Sequence, residues 1–427
     1  MISKALMPFR ILIILIVLFA LPFASCKKEE EEPYNEDNEL YYDFMKEWYF
    51  WTDEIPAINP SSYNSIFDVL EAVRYRELDR WSYIMDYQDF LAYFQDSRVV
   101  GYGFGSKFDS AGKLRIAYIF NTVDMYEAGV RRSWIIEAVN GVAVNPGMNV
   151  NQMLGANEVG VSNTFRFRTP EGEIEDITLQ KKELVMNTVL HHEVIERSGI
   201  KVGYMVLQGF TTPTVEELQG VFAEFSLAGI DELILDMRYN GGGSVATAIH
   251  LTSMIGGPSL AGETFAKYRY NSNKGEQYNR VEEFISKDTD LQLNRLITIG
   301  TRATASASEL VINSLRPFMD VHIVGDNTYG KPMGSNVFNF KEIYALAPIT
   351  FALYNANDEG EYFDGLPVDV PAPDDLTRMF GDPDESSLQQ ALAFIEMGIT
   401  KGMPVAEPLF RQPWEDMTGI RRELRMH

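Results

Sequence analysis

In the stretch TRATASASEL (301–310), Ser306 and Ser308 stand between small residues, where the apolar run LITIG (296–300) gives way to a helical pattern. A hydroxyl flanked by alanines at the start of a helix is open to an incoming group, and the free N–H groups and dipole there favour negative charge. The same residues also read as an N-cap with Glu309 in the first turn, a common stabilising arrangement. A second stretch, LDMRYNGGG (235–243), sets three glycines at another strand-to-helix junction. Glycine lets the backbone turn tightly and point N–H groups at an oxyanion. No Gly-Lys-Ser/Thr closes the run, so it is not a phosphate loop. The third, GDNTYGKPMG (325–334), places Lys331 in a glycine-rich turn after the strand-like VHIVG (321–325).

A hydroxyl, an amine and a donor-rich loop are the parts for nucleophilic attack on a carbonyl. The hydroxyl needs a base. The five histidines are His191, His192, His250, His322 and His427, and none lies in a glycine-rich strand-end loop. That disfavours a Ser-His-Asp triad and leaves lysine as the alternative base. A lysine ordinarily titrates near ~10.4, so working near pH ~8 costs ~3 kcal/mol against the ammonium. Desolvation supplies such a shift, which demands a closed, dry site.

The elements that must hold these residues alternate. KVGYMVLQGF (201–210) reads as a strand, TVEELQGVFAEFSLAG (214–229) as a helix ending at Gly229, and ELILDMR (232–238) as a buried strand. GGGSVATAIHLTSMIGG (241–257) opens a helix, LITIG and ASELVINSLRPF repeat the pair, and VHIVG adds a strand. Such alternation argues a mainly parallel sheet flanked by helices, with sites at the carboxyl ends of its strands. Upstream, residues 39–56 and 65–84 show apolar spacing of three and four, expected for amphipathic helices. Between these regions, KLRIAYIF (113–120), the Asn140-Gly141 turn and TFRFRTPEGEIEDITLQ (164–180) predict strands and hairpins.

Residues 1–25 read as a secretory signal: Lys4 and Arg10, then the apolar run 11–24, then small residues before Cys26. Cys26 is the single cysteine, so no intrachain disulfide can form. FASC resembles a bacterial lipobox with Phe23 in place of the usual Leu or Val, which implies a lipid on Cys26. KKEEEEP (27–33) resembles the tether of surface-exported lipoproteins of Bacteroidota. The expectation is an exported lipoprotein of the bacterial cell envelope, at the outer membrane. The 37 basic and 61 acidic residues give a net charge of −24, which offers no basic face for nucleic acid.

LDMRYNGGG, TASASE and NTYGKP resemble, in order, the signatures of the C-terminal processing (tail-specific) serine peptidases. The resemblance implies Ser306 as nucleophile and Lys331, 25 residues later, as general base, with oxyanion donors at Gly242 or Gly243 and at Ala307. Many members carry a Gln four residues after the lysine; Ser335 stands there in this chain. The third catalytic role therefore falls to Glu309, with Ser335 as the weaker candidate. The stretch EAGVRRSWIIEAVNG (127–141), with GYGFG (101–105), resembles a PDZ domain, although Ser133-Trp134 replaces the usual Gly-Asp. That implies a terminal-carboxylate loop at Gly101, Tyr102, Gly103 and Phe104. The implied layout is a signal peptide (1–25), an acidic tether (26–37), a helical domain (38–97), a PDZ-like domain (98–185), a peptidase core of ClpP/crotonase type (186–380) and a helical tail (381–427). The implied activity is that of a serine endopeptidase acting on protein or peptide substrates, with no cofactor and no metal; a catalytically silent peptide-binding lipoprotein of the same fold is the alternative.

Overall fold

The computed structural model describes residues 35–286, 291, 293–398 and 402. The readings placed on the signal peptide, Cys26 and most of the C-terminal tail beyond 398 lie outside the described residues.

The strand Glu232–Asp236 shows why a central sheet forms here. Leu233, Ile234 and Leu235 are all fully buried, as a strand covered on both faces requires. Leu233 and Leu235 face one core with Phe222, Phe225, Leu251 and Leu310, while Ile234 faces the other with Ile297, Val324 and Leu392. Six strands make this sheet, in the order Val189–Arg197, Ile200–Leu207, Glu232–Asp236, Arg295–Gly300, Asp320–Gly325 and Val370–Pro371. The first pair is antiparallel and the rest are parallel. Helices Thr214–Ala228, Val245–Gly256 and Ala307–Leu315 share the first core, and helix Ser386–Met397 covers the other face. Gly229 caps the first of these helices at φ +64°, the left-handed position a helix end favours.

Upstream, the expected helix over 65–84 stops at Val73. Arg74 ends the helix in an extended conformation, and further on Asp79 keeps the chain out of helix: its buried Oδ1 accepts the N–H groups of Trp81 and Ser82 at 2.8 and 2.9 Å, and Oδ2 accepts the Tyr49 hydroxyl at 2.8 Å. An Asx-type turn thereby competes with helix. The chain then runs as a strand, Tyr83–Asp86, antiparallel to Tyr344–Ala347. The region 38–97 is therefore not wholly helical. Its core of Tyr41, Met45, Leu70, Val73 and Trp81 continues into Met333 and Leu346 of the downstream chain.

Residues 104–180 form a separate antiparallel sheet with its own core, including Ile116, Ile136, Phe165 and Phe167. Asn140 and Gly141 both adopt positive φ, +51° and +77°, as a type I′ hairpin turn needs. A further antiparallel sheet joins Arg280–Glu283, Thr264–Tyr270, Phe351–Tyr354 and Met333–Gly334.

Candidate active site

The turn after strand Arg295–Gly300 is stitched to the segment after strand Glu232–Asp236. Thr304 Oγ1 donates to the Met237 carbonyl at 2.8 Å, Ala305 N–H to the Asn240 carbonyl at 3.1 Å, and Ser308 Oγ to that same carbonyl at 3.0 Å. Ser308 is thus fully buried and occupied. Ser306 instead lines the main cleft. It sits at the N-cap of helix Ala307–Leu315 with φ +57° and ψ −115°, a conformation that costs a non-glycine residue ~1–3 kcal/mol and persists only where its surroundings enforce it.

Glu309 supplies that enforcement. It is wholly buried, and its Oε2 accepts the N–H of Ser306 and the N–H of Lys331, each at 2.8 Å. Its Oε1 accepts Thr328 Oγ1 and the Gly330 N–H, both at 2.6 Å. One carboxylate therefore joins the serine turn to the lysine turn. Burial raises its pKa, against the four donors that favour the ionised form. Lys331 is 9 % exposed on the wall of the same cleft. Ser335 also lines the cleft, with its hydroxyl donated to the Ala347 carbonyl at 3.3 Å.

The glycine loop lies against the serine. A Cβ on Gly242 would stand 2.8 Å from Ser306 Cβ and 2.9 Å from the Ala307 nitrogen, and Gly242 has φ +101°. Gly243, at φ +140°, passes so close to Phe210 that a Cβ would meet its carbonyl oxygen at 2.2 Å. Of the two glycines expected as alternative donors, Gly242 is committed elsewhere: its N–H bonds Asn240 Oδ1 at 2.9 Å. The N–H groups of Gly243 and Ala307 have no acceptor among the described residues. Asn240, which takes up the Gly242 N–H, was not singled out by the sequence reading; its place just before the glycines was the available signal.

The cleft has a volume of about 2660 Å³ and reaches from Ser306, Lys331, Gly242 and Gly243 to Gly101, Tyr102, Gly103 and Phe104. It thus brings together all three strand-end junctions and the GYGFG loop. Among the described residues, no histidine lines it. Tyr102 is buried, and its hydroxyl donates to the Val161 carbonyl at 3.1 Å and accepts from Asn163. Gly103 needs its φ of +75°, and a Cβ there would meet Val123 at 2.5 Å. Ser133 holds φ +77° at the position where the resembled domain has glycine.

A buried ionic cluster fixes the 104–180 sheet to this loop. Arg132, 2 % exposed, donates to the Tyr239 hydroxyl at 2.8 Å and to Asp374 at 3.0 Å. Tyr239 donates to the other Asp374 oxygen at 2.6 Å and immediately precedes Asn240. Arg238, fully buried, binds Asp236, Asp374 and Glu385. Burial alone would raise the carboxyls of Asp374 and Glu385, but the guanidiniums of Arg132 and Arg238 outweigh it and hold both below the ordinary range.

Two family models match the chain: peptidase family S41 over residues 201–371 and the peptidase S41 N-terminal domain over residues 37–83. A carboxyl-terminal-processing protease of Picosynechococcus sp. is 23 % identical over 273 residues, which is 64 % of this chain and 60 % of that relative. One of Synechocystis sp. is 24 % identical over 223 residues, 52 % of this chain and 46 % of that relative. The chain thus spans about half the length of the curated relatives it matches. In fold, the structure is similar to a Bacteroides fragilis protein described as an S41 protease, with a TM-score of 0.70 and 23 % identity over 86 % of this chain and 99 % of that one. It is also similar to a photosystem II D1 C-terminal processing protease, with a TM-score of 0.52 and 18 % identity over 86 % of this chain and all of that one. The chain belongs to peptidase family S41.

Proposed function

We propose that the chain is a serine endopeptidase of the C-terminal processing type that works through Ser306 and Lys331. The observation that carries this reading is the Glu309 carboxylate, which receives the main-chain N–H of both residues at the wall of one cleft. Ser306 Oγ bonds the scissile carbonyl carbon while its proton passes to the Lys331 amine. The N–H groups of Gly243 and Ala307 receive the developing oxyanion. Collapse breaks the C–N bond, and the proton moves from lysine to the leaving nitrogen. Water, deprotonated by the same amine, then releases the acyl group. Glu309 acts as a positioning residue: its oxygens are spent on the backbone that carries the pair and on Thr328.

The 98–185 segment is read as PDZ-like, capturing substrate tails at Gly101–Phe104. The continuity of that loop with the Ser306 cleft supports this. The N-terminal region is read as a lipoprotein leader that anchors the protein to the envelope through Cys26. A Cys26→Ala protein that stays in the membrane fraction would refute the anchor.

A fluorophosphonate probe tests the chemistry. Labelling of the native protein at Ser306, with none in Ser306→Ala, is expected. Absence of labelling together with absence of casein hydrolysis would leave a silent peptide-binding protein instead.

A further inference from the structure

The lysine turn is held by two arginines that come from distant parts of the chain. Arg302, four residues before Ser306, donates Nη1 to the carbonyls of Thr328 (2.9 Å) and Asp364 (2.8 Å). Arg80 donates Nη2 to the carbonyls of Phe363 (3.0 Å) and Gly330 (3.5 Å), and its guanidinium lies 5.0 Å from the Tyr329 ring. Both guanidiniums thus bridge the same two loops, residues 328–330 and 363–364, and both line the cleft that holds Ser306 and Lys331.

Each arginine spends only one nitrogen on protein carbonyls. Arg80 Nε and Nη1, and Arg302 Nε and Nη2, have no acceptor among the described residues, and neither arginine forms an ion pair there. The other basic groups of the cleft differ. Arg280 is paired with Glu282, and Lys107 lies 3.7 Å from Asp374. Lys181 is spent on the carbonyls of Gly155 and Ala156 and on Asn157. Asp326 and Asp364 share the rim, and neither pairs with Arg80 or Arg302. In a chain with 61 acidic residues against 37 basic ones, two guanidiniums beside a reactive centre without a carboxylate partner have their forks available for one that arrives with a ligand. A planar guanidinium matches a carboxylate in two-point geometry.

We propose that Arg80 and Arg302 form a subsite for a carboxylate of the bound peptide next to the scissile bond, carried by an Asp or Glu side chain or by the chain terminus. The proposal rests on the peptidase reading above and names its substrate class: peptides with negative charge near the cleavage point.

Quenched-fluorescence peptides test it with the full-length protein. Each pair differs by Asp against Asn at one position flanking the cut, and each peptide is made with a free and an amidated C-terminus. At the favoured position the Asp peptide should exceed its Asn twin by roughly tenfold in kcat/KM, as charge-assisted hydrogen bonds of this kind are worth. Arg302→Gln and Arg80→Gln will slow every peptide, because both side chains also hold the lysine turn; the readout is the Asp/Asn ratio, which should fall to about one. Arg302→Lys, which keeps the charge without the fork, should restore only part of it. A preference confined to the free terminus, and lost in the same variants, assigns the carboxylate to the chain end. The same peptides are titrated against Ser306→Ala protein, so the preference is read in binding even if nothing is cut. A preference in binding without hydrolysis would sink the peptidase reading and leave the subsite standing. Hydrolysis or binding with equal Asp and Asn values at every position, and equal free and amidated termini, would overturn the subsite.

Discussion

Ser306 and Lys331 share one acceptor: Oε2 of Glu309 takes the main-chain N–H of each at 2.8 Å. The relative placement of hydroxyl and amine is therefore set through the backbone, by a residue one helical turn past the serine. Replacing Glu309 with Gln turns one of those oxygens into a donor facing N–H groups. Glu309→Gln should lose about 2 kcal/mol of stability, the scale of losing hydrogen bonds to a buried charge, and should lower kcat more than it raises KM. Denaturant unfolding and steady-state kinetics read the two effects; full activity with normal stability would remove Glu309 from the site.

The two serines separate cleanly. Ser306→Ala should abolish hydrolysis and keep the fold, since Ser306 is small and lines the cleft. Ser308→Ala should stay active and lose ~1 kcal/mol, because its hydroxyl serves only the Asn240 carbonyl. Activity in Ser306→Ala and none in Ser308→Ala would show that the nucleophile has been placed two residues too early.

Gly242→Ala tests the oxyanion wall. The new methyl would stand 2.8 Å from Ser306 Cβ and 2.9 Å from the Ala307 nitrogen. It would block the donor and push the serine, so fluorophosphonate labelling should vanish while the protein remains folded by circular dichroism. Unchanged labelling would mean that the oxyanion lies elsewhere.

No imidazole lines the cleft among the described residues. The rate–pH profile should accordingly lack a controlling group near ~6.5, where histidine titrates. Lys331→Arg should be inactive, because guanidinium stays charged at any working pH. A histidine-like limb, or an active Lys331→Arg, would exclude the Ser-Lys assignment.

Acid stability follows from the buried ionic cluster around Asp374. Burial works against the ionised Asp374 and Glu385, but Arg132 and Arg238 prevail and depress both. Groups depressed in the folded state contribute stability above the unfolded carboxylate range of ~4, and that stability is lost as pH falls through the folded values. Glu309 has the opposite sign: raised by burial, it contributes below the ordinary carboxylate range and loses that contribution as pH climbs through its folded value. Asp374→Asn should cost ~3–5 kcal/mol at neutral pH by stranding buried guanidinium charge, and should flatten the acid limb of the stability curve. An acid limb as steep as the parent's would place the sensitivity in other carboxyls.

What the sequence made legible was local. Ser306 and the 241–243 glycines stand where an apolar run meets a helix pattern, and Lys331 stands in a glycine-rich turn after the apolar run VHIVG, so motif and position point the same way. The parts that escaped depend on partners far along the chain. Asn240 looked like a loop residue until its side chain claimed the Gly242 N–H. Arg80 and Arg302 carry no local pattern that marks them, and neither do Arg132 and Asp374, which are buried together. The helix expected over 65–84 ends at Val73, and further on the Asp79 side chain offers the backbone a competing turn. The edge strand Val189–Arg197 was missed because its outer positions are polar and exposed, which blurs the alternation that marks a strand.

The contact between Arg80 and the Gly330 carbonyl spans 250 positions of sequence, and the strand Tyr83–Asp86 closes on Tyr344–Ala347. Such distant pairings form late, after the cost of closing the intervening chain has been met. During synthesis, the serine turn emerges well before the segment that completes its surroundings. The walls around Ser306 and Lys331 are thus complete only when the last quarter of the chain has joined its first.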